Sequence, residues 1–356
     1  MAKMKIVFIT QAVDLNHLVQ ASAVRWIEVM ANHEEVDSIE VLTLREGSYR
    51  LPKNVNVRLI KGYNRFETLR NFCRHAWGNA ADKKTVFFVH QNGVYPILLM
   101  LQGLFRDRPV YQWLCHSHRG WKTEFNTRFA TTGVFTATSQ SHPLELPHVH
   151  VVGHGINMGK FSKSTIYDKN CDILVLGRIT PVKRIDLIID AVGSAREELD
   201  IHPTVHIYGE AINSLDEKYL VDLQAQVAER GVNDLVFFKG GVVQDDIPRI
   251  IAKAKAMAFC CQGALGKVVV EAMAVGLPIV TTNPCAAEAL PEELRDVLYC
   301  KTAQPREIAN TIKIIMTVSA DEYKGMGDKL AEKARADHCD TQLFDRIVSR
   351  IKTDLS

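Results

Sequence analysis

The chain has 356 residues, of which 47% are apolar and 24% are charged, and its formal net charge is +2. This composition is sufficient to bury two cores of ordinary size, and no segment is polar enough to form a long disordered tail. We expect no transmembrane helix, because no uncharged apolar stretch reaches about 18 residues. We also expect no signal peptide, because the first apolar run is short and lacks a small-residue cleavage site.

Strand-like runs alternate with helical patterns along nearly the whole chain, which predicts an α/β fold with parallel sheets. The first series of runs comprises residues 5–10, 39–44, 55–60, 85–90, 110–115, 133–137 and 148–152. The second comprises residues 171–177, 204–208, 235–239, 256–261, 279–282 and 297–300. Two such series predict two doubly wound domains, 1–165 and 166–339, joined by the short polar segment 162–170. Helical spacing of apolar residues near the end of the chain predicts a last helix at about 340–356.

Charge is divided unevenly between the two predicted domains. Residues 1–165 hold 20 Lys and Arg against 12 Asp and Glu, a net of +8, whereas residues 166–356 hold 23 against 29, a net of −6. This asymmetry predicts an anionic partner for the first domain. No feature of the chain points to nucleic acid.

Residues 50–84 combine nine Lys and Arg with a set of apolar residues at helical spacing. Phe66, Leu69, Phe72, Cys73 and Trp77 form that set. Two interpretations stay open. A basic amphipathic helix can lie on an anionic bilayer, which would make the protein peripheral at the inner face of the membrane. Alternatively, the apolar stripe packs on the sheet and the basic face is solvated or binds an acidic acceptor.

The eight cysteines show no CxxC spacing of the kind found in metal sites. Cys260 and Cys261 are adjacent within an apolar run, where buried thiols are the usual arrangement. We therefore expect a reduced, cytoplasmic protein without a structural metal.

Two histidines follow the predicted strand at 110–115. His116 comes directly after this strand and His118 lies two residues further on, next to Arg119 and Gly120. A histidine at the end of a buried strand, in the crevice where the strand order reverses, is well placed to meet a ligand.

Arg178 and Lys183 flank the turn between a buried strand, which ends at Gly177, and an amphipathic helix. Two cations at this turn can neutralise a diphosphate that becomes a leaving group, a role otherwise filled by a divalent metal. Arg184, beside Lys183, is interpreted as a surface charge.

A glycine-rich turn, a helix and a buried strand follow one another over residues 263–280. Gly263 and Gly266 bring backbone N–H groups close to a ligand, because no Cβ blocks the approach. The helix after this turn presents unpaired N–H groups and a positive dipole end, which suit a phosphate. Glu271 lies near the start of that helix, where its carboxylate can reach ribose hydroxyls.

Residues 263–280 and 175–191 together resemble the donor site of retaining, nucleotide-sugar-dependent glycosyltransferases of the GT-B fold, carbohydrate-enzyme family 4. That family carries Gly-Arg-x4-Lys, which matches Gly177, Arg178 and Lys183 residue for residue. It also carries two glutamates separated by seven residues, of which the second matches Glu271. Gly263 stands in place of the first, which in the family sits at the donor sugar.

The resemblance implies two Rossmann-like domains facing a central cleft, with the last helix crossing back to the N-terminal, acceptor-binding domain. It implies a retaining, metal-independent hexosyltransferase without a cofactor, which acts in polysaccharide or glycoconjugate biosynthesis on a glycan, lipid-linked or other acceptor. The leaving phosphate takes the acceptor proton, so no protein base is assigned. The implied catalytic residues are His116, Arg178 and Lys183. The implied donor-binding residues are Gly209, Lys239, Gly263, Ala264, Leu265, Gly266, Lys267 and Glu271, with His118, Gln11 and Glu288 as further candidates.

Gln11 and Glu288 belong to segments that differ from the family pattern. Relatives often have a Gly-Gly turn after the first strand, whereas this chain has Gln11 to His17 there. Glu288 follows two alanines where the family has a loop with two glycines, so bracing of that loop is an alternative to contact with the sugar.

Three alternatives to an active transferase remain. The absence of the first glutamate at Gly263 favours a pseudoenzyme that binds a nucleotide-sugar and serves as a partner subunit. A nucleotide-sugar epimerase would need a carboxylate-rich cleft, and no such cluster is evident in the sequence. An oxidoreductase would need GxGxxG after a strand, and this motif is missing.

Overall fold

The protein is described by a computed structural model that covers residues 3–17, 20–106, 108–161 and 170–355, with side chains described throughout except at 101–106. It divides into two compact units, one formed by Met1–Gly155 with Asp340–Ser356 and the other by Ile156–Cys339. The division lies ten residues before the expected boundary at 165/166. Ile156 belongs to the second unit because its N–H donates to the His338 carbonyl at 2.8 Å. Residues 162–169 of the expected linker lie outside the described residues.

The first unit is built on a seven-stranded sheet in the order β3-β2-β1-β4-β5-β6-β7. All neighbouring strands pair in parallel, and β1 and β4 are buried along almost their whole length. Such near-continuous apolar strands are typical of a parallel sheet whose two faces are covered by helices. The strand order reverses between β1 and β4, which is the switch point of this sheet. The strands are β1 Met4–Thr10, β2 Val36–Thr43, β3 Val55–Leu59, β4 Thr85–His90, β5 Val110–Trp113, β6 Gly133–Thr136 and β7 Val149–Val151.

Helices cover this sheet, and the C-terminal helix is one of them. The helices before it are α1 Ala21–Ala31, α2 Arg65–Asn79, α3 Tyr95–Arg106 and α4 Trp121–Phe125, the last continued by a π-helical turn over Asn126–Ala130. The C-terminal helix, Asp340–Leu355, packs on α1, with the rings of Phe344 and Trp26 5.4 Å apart and an ion pair of 2.8 Å between Asp340 and Arg25. The predicted last helix therefore returns to the first unit.

The second unit has a five-stranded parallel sheet in the order β10-β9-β8-β11-β12. Its strands are β8 Cys171–Leu176, β9 Val205–Tyr208, β10 Val236–Gly240, β11 Ala254–Phe259 and β12 Ile279–Thr281. Its helices are α5 Ile185–Leu199, α6 Ser214–Glu229, α7 Ile247–Ala252, α8 Lys267–Ala274, α9 Pro284–Ala289, α10 Glu292–Leu298, α11 Pro305–Thr317 and α12 Ala320–His338. The order reverses between β8 and β11, so the switch point lies at the carboxyl ends of these two strands.

The strand predicted at residues 297–300 is wrong. Helix α10 runs to Leu298, and Tyr299 makes an isolated parallel bridge to Thr281. Pro291 before the helix and two glutamates in its first turn favour a helix start at this point. Leu298 and Cys300 are buried, so the apolar signal came from the end of a helix and not from a strand.

Candidate functional site

A small hollow opens at the switch point of the second sheet, at the carboxyl ends of β8 and β11. Its lining includes Leu176, Gly177, Arg178, Lys183, Phe259 and Cys260. Ligands of doubly wound sheets bind in such crevices. The structure therefore brings the predicted cation pair and the end of the strand before the glycine turn to one place.

Arg178 and Lys183 meet at this hollow because of the turn between β8 and α5. Gly177 has a φ of +135°, a conformation that glycine adopts readily and other residues rarely adopt. Lys183 is the last residue of a short 3-10 turn. The Lys183 Nζ lies 5.2 Å from the centroid of the Phe259 ring. Neither cation forms an ion pair with a described residue, whereas the neighbouring Arg184 pairs with Asp186 at 2.9 Å. Two cations are thus left available to an anion.

The glycine turn between β11 and α8 is hydrogen-bonded to the turn between β8 and α5, which carries Arg178 and Lys183. The Gln262 N–H donates to the Val182 carbonyl at 2.9 Å. A Cβ at Gly266 would lie 2.8 Å from atoms of the Phe259 ring, the ring over which Lys183 Nζ lies. Gly266 is therefore required for close packing, and it also forms the amino-terminal cap of α8, where unpaired N–H groups favour anions.

Gly263 differs from Gly266, because the structure leaves room for a side chain there. Its φ is not positive, and the nearest atom to a Cβ would be the Cys261 Sγ at 3.5 Å, an ordinary van der Waals distance. Neither the backbone conformation nor the local packing therefore requires glycine at this position, which the family fills with glutamate. Ala264 is half-buried and Leu265 is buried within the same turn.

Asn283 is a residue of this region that the sequence interpretation missed. Its side chain is buried, its Nδ2 donates to the carbonyl oxygens of Cys261 and Gly263 at 2.6 Å each, and its Oδ1 accepts from the Ala286 N–H at 2.8 Å. The available signal was an asparagine followed by Pro284, the typical start of a helix. That helix is α9, so residues 286–288 form a helix and not the expected loop, and Glu288 lies half-buried on it.

Glu271 is buried one turn into α8. Lys267 Nζ lies 3.1 Å from its Oε1, and this contact is an ion pair at i, i+4. The same Oε1 accepts no hydrogen bond from any described residue. Buried carboxylate oxygens normally accept hydrogen bonds, so this atom is suited to a hydroxyl donor.

Two predicted donor-binding residues, Gly209 and Lys239, are not among the residues that line the hollow. A Cβ at Gly209 would lie 1.9 Å from the Gly177 carbonyl oxygen, so glycine is required there by the adjoining strand end. Lys239 lies exposed on the edge strand β10, with its Nζ 5.1 Å from the Phe237 ring centroid. Burial lowers the pKa of His206, and the Lys239 charge lowers it further, which places this lysine beside His206 and apart from the hollow lining.

The two candidate histidines of the first unit, His116 and His118, lie after β5, one strand from its switch point. Both rings are exposed, and His116 Nδ1 accepts from the His118 N–H at 3.0 Å. The His116 N–H donates to the Ser141 carbonyl at 2.8 Å, which fixes the backbone. Gln11 lies exposed directly after β1, at the switch point itself. The expectation that His116 lies in the switch-point crevice is therefore off by one strand.

In the part of the chain that the structure describes, no group of three or more His, Cys, Asp and Glu residues could hold a metal ion. Within the same described ranges, no helix is both long and apolar enough to cross a bilayer.

The family model for Glycosyl transferases group 1 matches residues 159–336, which is half of the chain. The chain belongs to this family. Over 163 residues it is 33% identical to the GDP-mannose-dependent alpha-(1-6)-phosphatidylinositol monomannoside mannosyltransferase of Mycobacterium tuberculosis, an alignment that covers 44% of this chain and 40% of that protein. It is 26% identical over 155 residues to the mannosylfructose-phosphate synthase of Agrobacterium fabrum, covering 40% of this chain and 34% of that protein. The chain thus matches two-fifths or less of the length of these curated relatives.

Solved structures match over almost the whole chain. Anabaena HepE in complex with UDP-glucose has a TM-score of 0.76 and 15% identity, covering 98% of this chain and 100% of that one. Sucrose-phosphate synthase from Thermosynechococcus elongatus has a TM-score of 0.72 and 13% identity, covering 99% of both chains. At these identities the likeness shows the fold alone, and together with the family it confirms the predicted GT-B fold.

Proposed function

We propose that this protein is a retaining glycosyltransferase that moves a sugar from a nucleoside diphosphate sugar to a glycan, lipid-linked or other acceptor, in polysaccharide or glycoconjugate biosynthesis. The observation that carries this proposal is the pair of cations Arg178 and Lys183 at the switch-point hollow of the second unit, which have no acidic partner among the described residues. The amino terminus of α8 follows the glycine turn beside them.

In the proposed reaction the bond between the sugar C1 and the diphosphate oxygen breaks, and a bond between C1 and the acceptor oxygen forms on the same face of the sugar. Negative charge grows on the leaving diphosphate, where Arg178 and Lys183 stabilise it more strongly than in the ground state. The acceptor proton passes to the leaving phosphate oxygen. Because two side-chain cations supply the charge, we propose that no divalent metal is needed.

The remaining donor contacts are assigned to Glu271 and the glycine turn. Glu271 Oε1 is proposed to accept from a ribose hydroxyl, since it is buried and accepts no hydrogen bond from a described residue. The backbone around Gly263 to Lys267 is proposed to contact the phosphate and sugar. His116 is proposed to approach the donor sugar through Nε2, because its Nδ1 is occupied by the His118 N–H.

A second candidate function is a nucleotide-sugar-binding partner subunit without transfer activity. Gly263 favours it, because the carboxylate that the family directs at the donor sugar is missing. The intact set of Arg178, Lys183 and Glu271 favours the active enzyme, since a subunit without chemistry has less need to keep both cations unpaired.

Calorimetry with UDP, GDP and ADP, followed by transfer assays with a panel of their sugars, tests the proposal. The panel includes GDP-mannose and UDP-glucose, which are named with the mannosyltransferase relative and the HepE structure. Binding of a nucleoside diphosphate, lost in Arg178→Ala and kept in Arg184→Asn, together with turnover of any donor, supports an active enzyme. Binding without turnover of any donor supports the partner subunit, and binding of none of the three nucleotides overturns both.

A further inference from the structure

Large apolar side chains are exposed at the carboxyl edge of the first sheet. Tyr63, Phe66 and Leu69 follow β3, Val94 follows β4 and Trp121 follows β5. Tyr63 is fully exposed, and Phe66 and Trp121 are 76% and 71% exposed. We call these five residues the apolar edge. Exposed apolar side chains that occur singly are ordinary, whereas a group of them at one place marks an interaction surface.

The three turns that carry the apolar edge lie along one edge of the sheet, because β3, β4 and β5 are parallel members of it. Strands β2 and β1 separate β3 from β4, and helix α2 connects the turn after β3 to the region of the turn after β4. The ring of Phe72 on α2 lies 4.9 Å from that of Tyr95, the residue after Val94. Asn126 Nδ2 donates to the Gly93 carbonyl at 2.7 Å, which joins the segment of Trp121 to the turn after β4.

The apolar stripe of helix α2 has two parts with different environments. Phe72 and Ala76 are buried in the core of the first unit, together with Tyr95. Phe66 and Leu69, nearer the amino terminus of the helix, are exposed. Only part of the apolar stripe predicted at residues 66–77 therefore packs in the core, and its amino-terminal part is exposed on the surface.

Cations surround the apolar edge. Lys61, Arg65 and Lys122 are exposed and form no ion pair with a described residue, and Lys122 lies 5.6 Å from the Trp121 ring centroid. Two further cations are paired, Arg70 with Glu67 at 3.7 Å and Arg119 with Glu124. The pairs cancel, so these seven charged residues together carry a formal charge of +3.

We propose that the apolar edge docks the protein on the surface of an anionic lipid bilayer. Tyrosine and tryptophan side chains, with one apolar and one polar end, favour the boundary between headgroups and acyl chains, and lysine and arginine favour anionic headgroups. The same sheet edge carries His116, which follows β5. A docked protein therefore presents this histidine towards the bilayer, which suits a lipid-linked acceptor.

This inference rests on the proposed function only for the acceptor, because binding to a bilayer requires no turnover. Co-sedimentation with vesicles of phosphatidylcholine, with and without phosphatidylglycerol, is measured without nucleotide or donor. The wild-type protein is expected to bind the anionic vesicles and not the neutral ones. Binding is expected to weaken as salt rises from about 0.1 M to about 1 M, where the Debye length falls from about 10 Å to about 3 Å.

Two pairs of substitutions with a matched control identify the surface. Phe66→Ser with Leu69→Ser is expected to weaken vesicle binding at least about tenfold. Lys61→Gln with Arg65→Gln is expected to weaken it about fivefold for each cation. The control is Leu215→Ser with Val221→Ser on α6 of the second unit, where both side chains are more than 60% exposed, and it should bind as the wild type does.

The outcomes separate the bilayer from other occupants and from the proposed function. Equal binding by the edge variants and the control, or equal binding to neutral and anionic vesicles, overturns the inference. Self-association of the wild type in light scattering that only the edge variants abolish, without vesicle binding, assigns the surface to a second copy of this chain and also overturns it. Vesicle binding by a protein that fails to bind nucleoside diphosphates leaves the docking inference standing and removes the proposed function.

Discussion

Asn283 holds the Gly263 carbonyl in place, with its Nδ2 2.6 Å from that oxygen. The same Nδ2 donates a second hydrogen bond to the Cys261 carbonyl, and the Asn283 backbone N–H donates to Thr281 Oγ1 at 3.0 Å. One buried carboxamide therefore connects the end of β12, the glycine turn and the start of α9. The turn that the proposed donor site depends on is set by a residue outside both sequence motifs.

Replacing Asn283 tests this positioning role. Asn283→Ala leaves the buried Cys261 carbonyl and the partly buried Gly263 carbonyl without their donor, so we expect the free energy of unfolding to fall by about 2–3 kcal/mol and nucleotide affinity to fall about tenfold. Asn213→Ala is the matched control, because Asn213 caps α6 in the same unit and should cost about 1 kcal/mol with unchanged nucleotide affinity. Chemical denaturation and calorimetry measure both effects. Unchanged affinity in Asn283→Ala would remove its positioning role.

Removing either cation at the hollow is expected to slow transfer. Arg178→Ala or Lys183→Ala should lower kcat/KM at least about a hundredfold, since one lost transition-state contact costs roughly 3 kcal/mol. Thermal stability should change little, because Arg178 is exposed and Lys183 is only half-buried. Arg184→Asn is the control: asparagine tolerates the left-handed conformation of this position, where φ is +50°, and turnover should be kept. Wild-type rates in both alanine variants would rule out the diphosphate contact.

Transfer should persist in the presence of EDTA. The physical reason is that Arg178, Lys183 and the amino terminus of α8 supply the positive charge that a divalent cation would otherwise supply. Rates are compared for enzyme treated with chelator and then supplemented with Mg²⁺ or Mn²⁺. Activity that disappears with EDTA and returns with either ion would contradict the proposed mechanism.

Stability should fall as the solution becomes acidic, in part because of His90. Burial lowers the pKa of this histidine from its ordinary value of 6.5 to about 4. The unfolded chain therefore binds the proton more tightly, and stability present above about pH 6.5 is lost as the pH falls towards 4. The loss attributable to this group is about 3 kcal/mol at most.

The variant His90→Asn isolates this contribution. Asparagine does not titrate, so the difference in unfolding free energy between wild type and variant should shrink as the pH falls through the window from 6.5 to 4. Denaturant titrations at several pH values measure that difference. A difference that stays constant across the window would show that His90 is not the titrating group.

Much of the architecture was predictable because parallel strands buried on both faces read as continuous apolar runs. Twelve of the thirteen predicted strands are present within one to three residues of their bounds. The exception is residues 297–300, an apolar segment at the end of a helix. An apolar run alone does not distinguish a helix end from a buried strand. The cation pair was predictable for a similar reason, because a strand, a turn and a helix fix the spacing of Arg178 and Lys183.

Contacts between distant segments were beyond sequence reasoning. Asn283 is twenty residues from Gly263 along the chain, and the hydrogen bond exists because β11 and β12 are paired. The requirement for glycine at position 209 also comes from a distant segment, because the Gly177 carbonyl lies against it. The sequence also did not predict which apolar residues of α2 are buried, because Phe66 and Phe72 share one helical pattern and differ only in what packs against them.

Gly263 bears on the identity of the donor sugar. A glutamate there would offer an acceptor to sugar hydroxyls, so its absence predicts a donor that is bulkier or differently substituted at those hydroxyls, or one held by Gln262 and the backbone from Leu265 to Lys267. Nucleoside diphosphate should bind in any case, because Arg178, Lys183 and Glu271 are intact. UDP-glucose or GDP-mannose is then expected to turn over slowly or not at all in the wild type.

The variant Gly263→Glu tests this directly, and the structure admits it because the nearest atom to the new Cβ is Cys261 Sγ at 3.5 Å. We expect kcat/KM for an ordinary hexose donor to rise at least about tenfold, the effect of one hydrogen bond to a charged group. Calorimetric affinity for the nucleoside diphosphate alone should not change. Gly263→Ala serves as the control, since it fills the same space without an acceptor and should leave donor preference unaltered. If the wild type already turns over an ordinary hexose donor rapidly and Gly263→Glu does not improve it, this position does not select the donor.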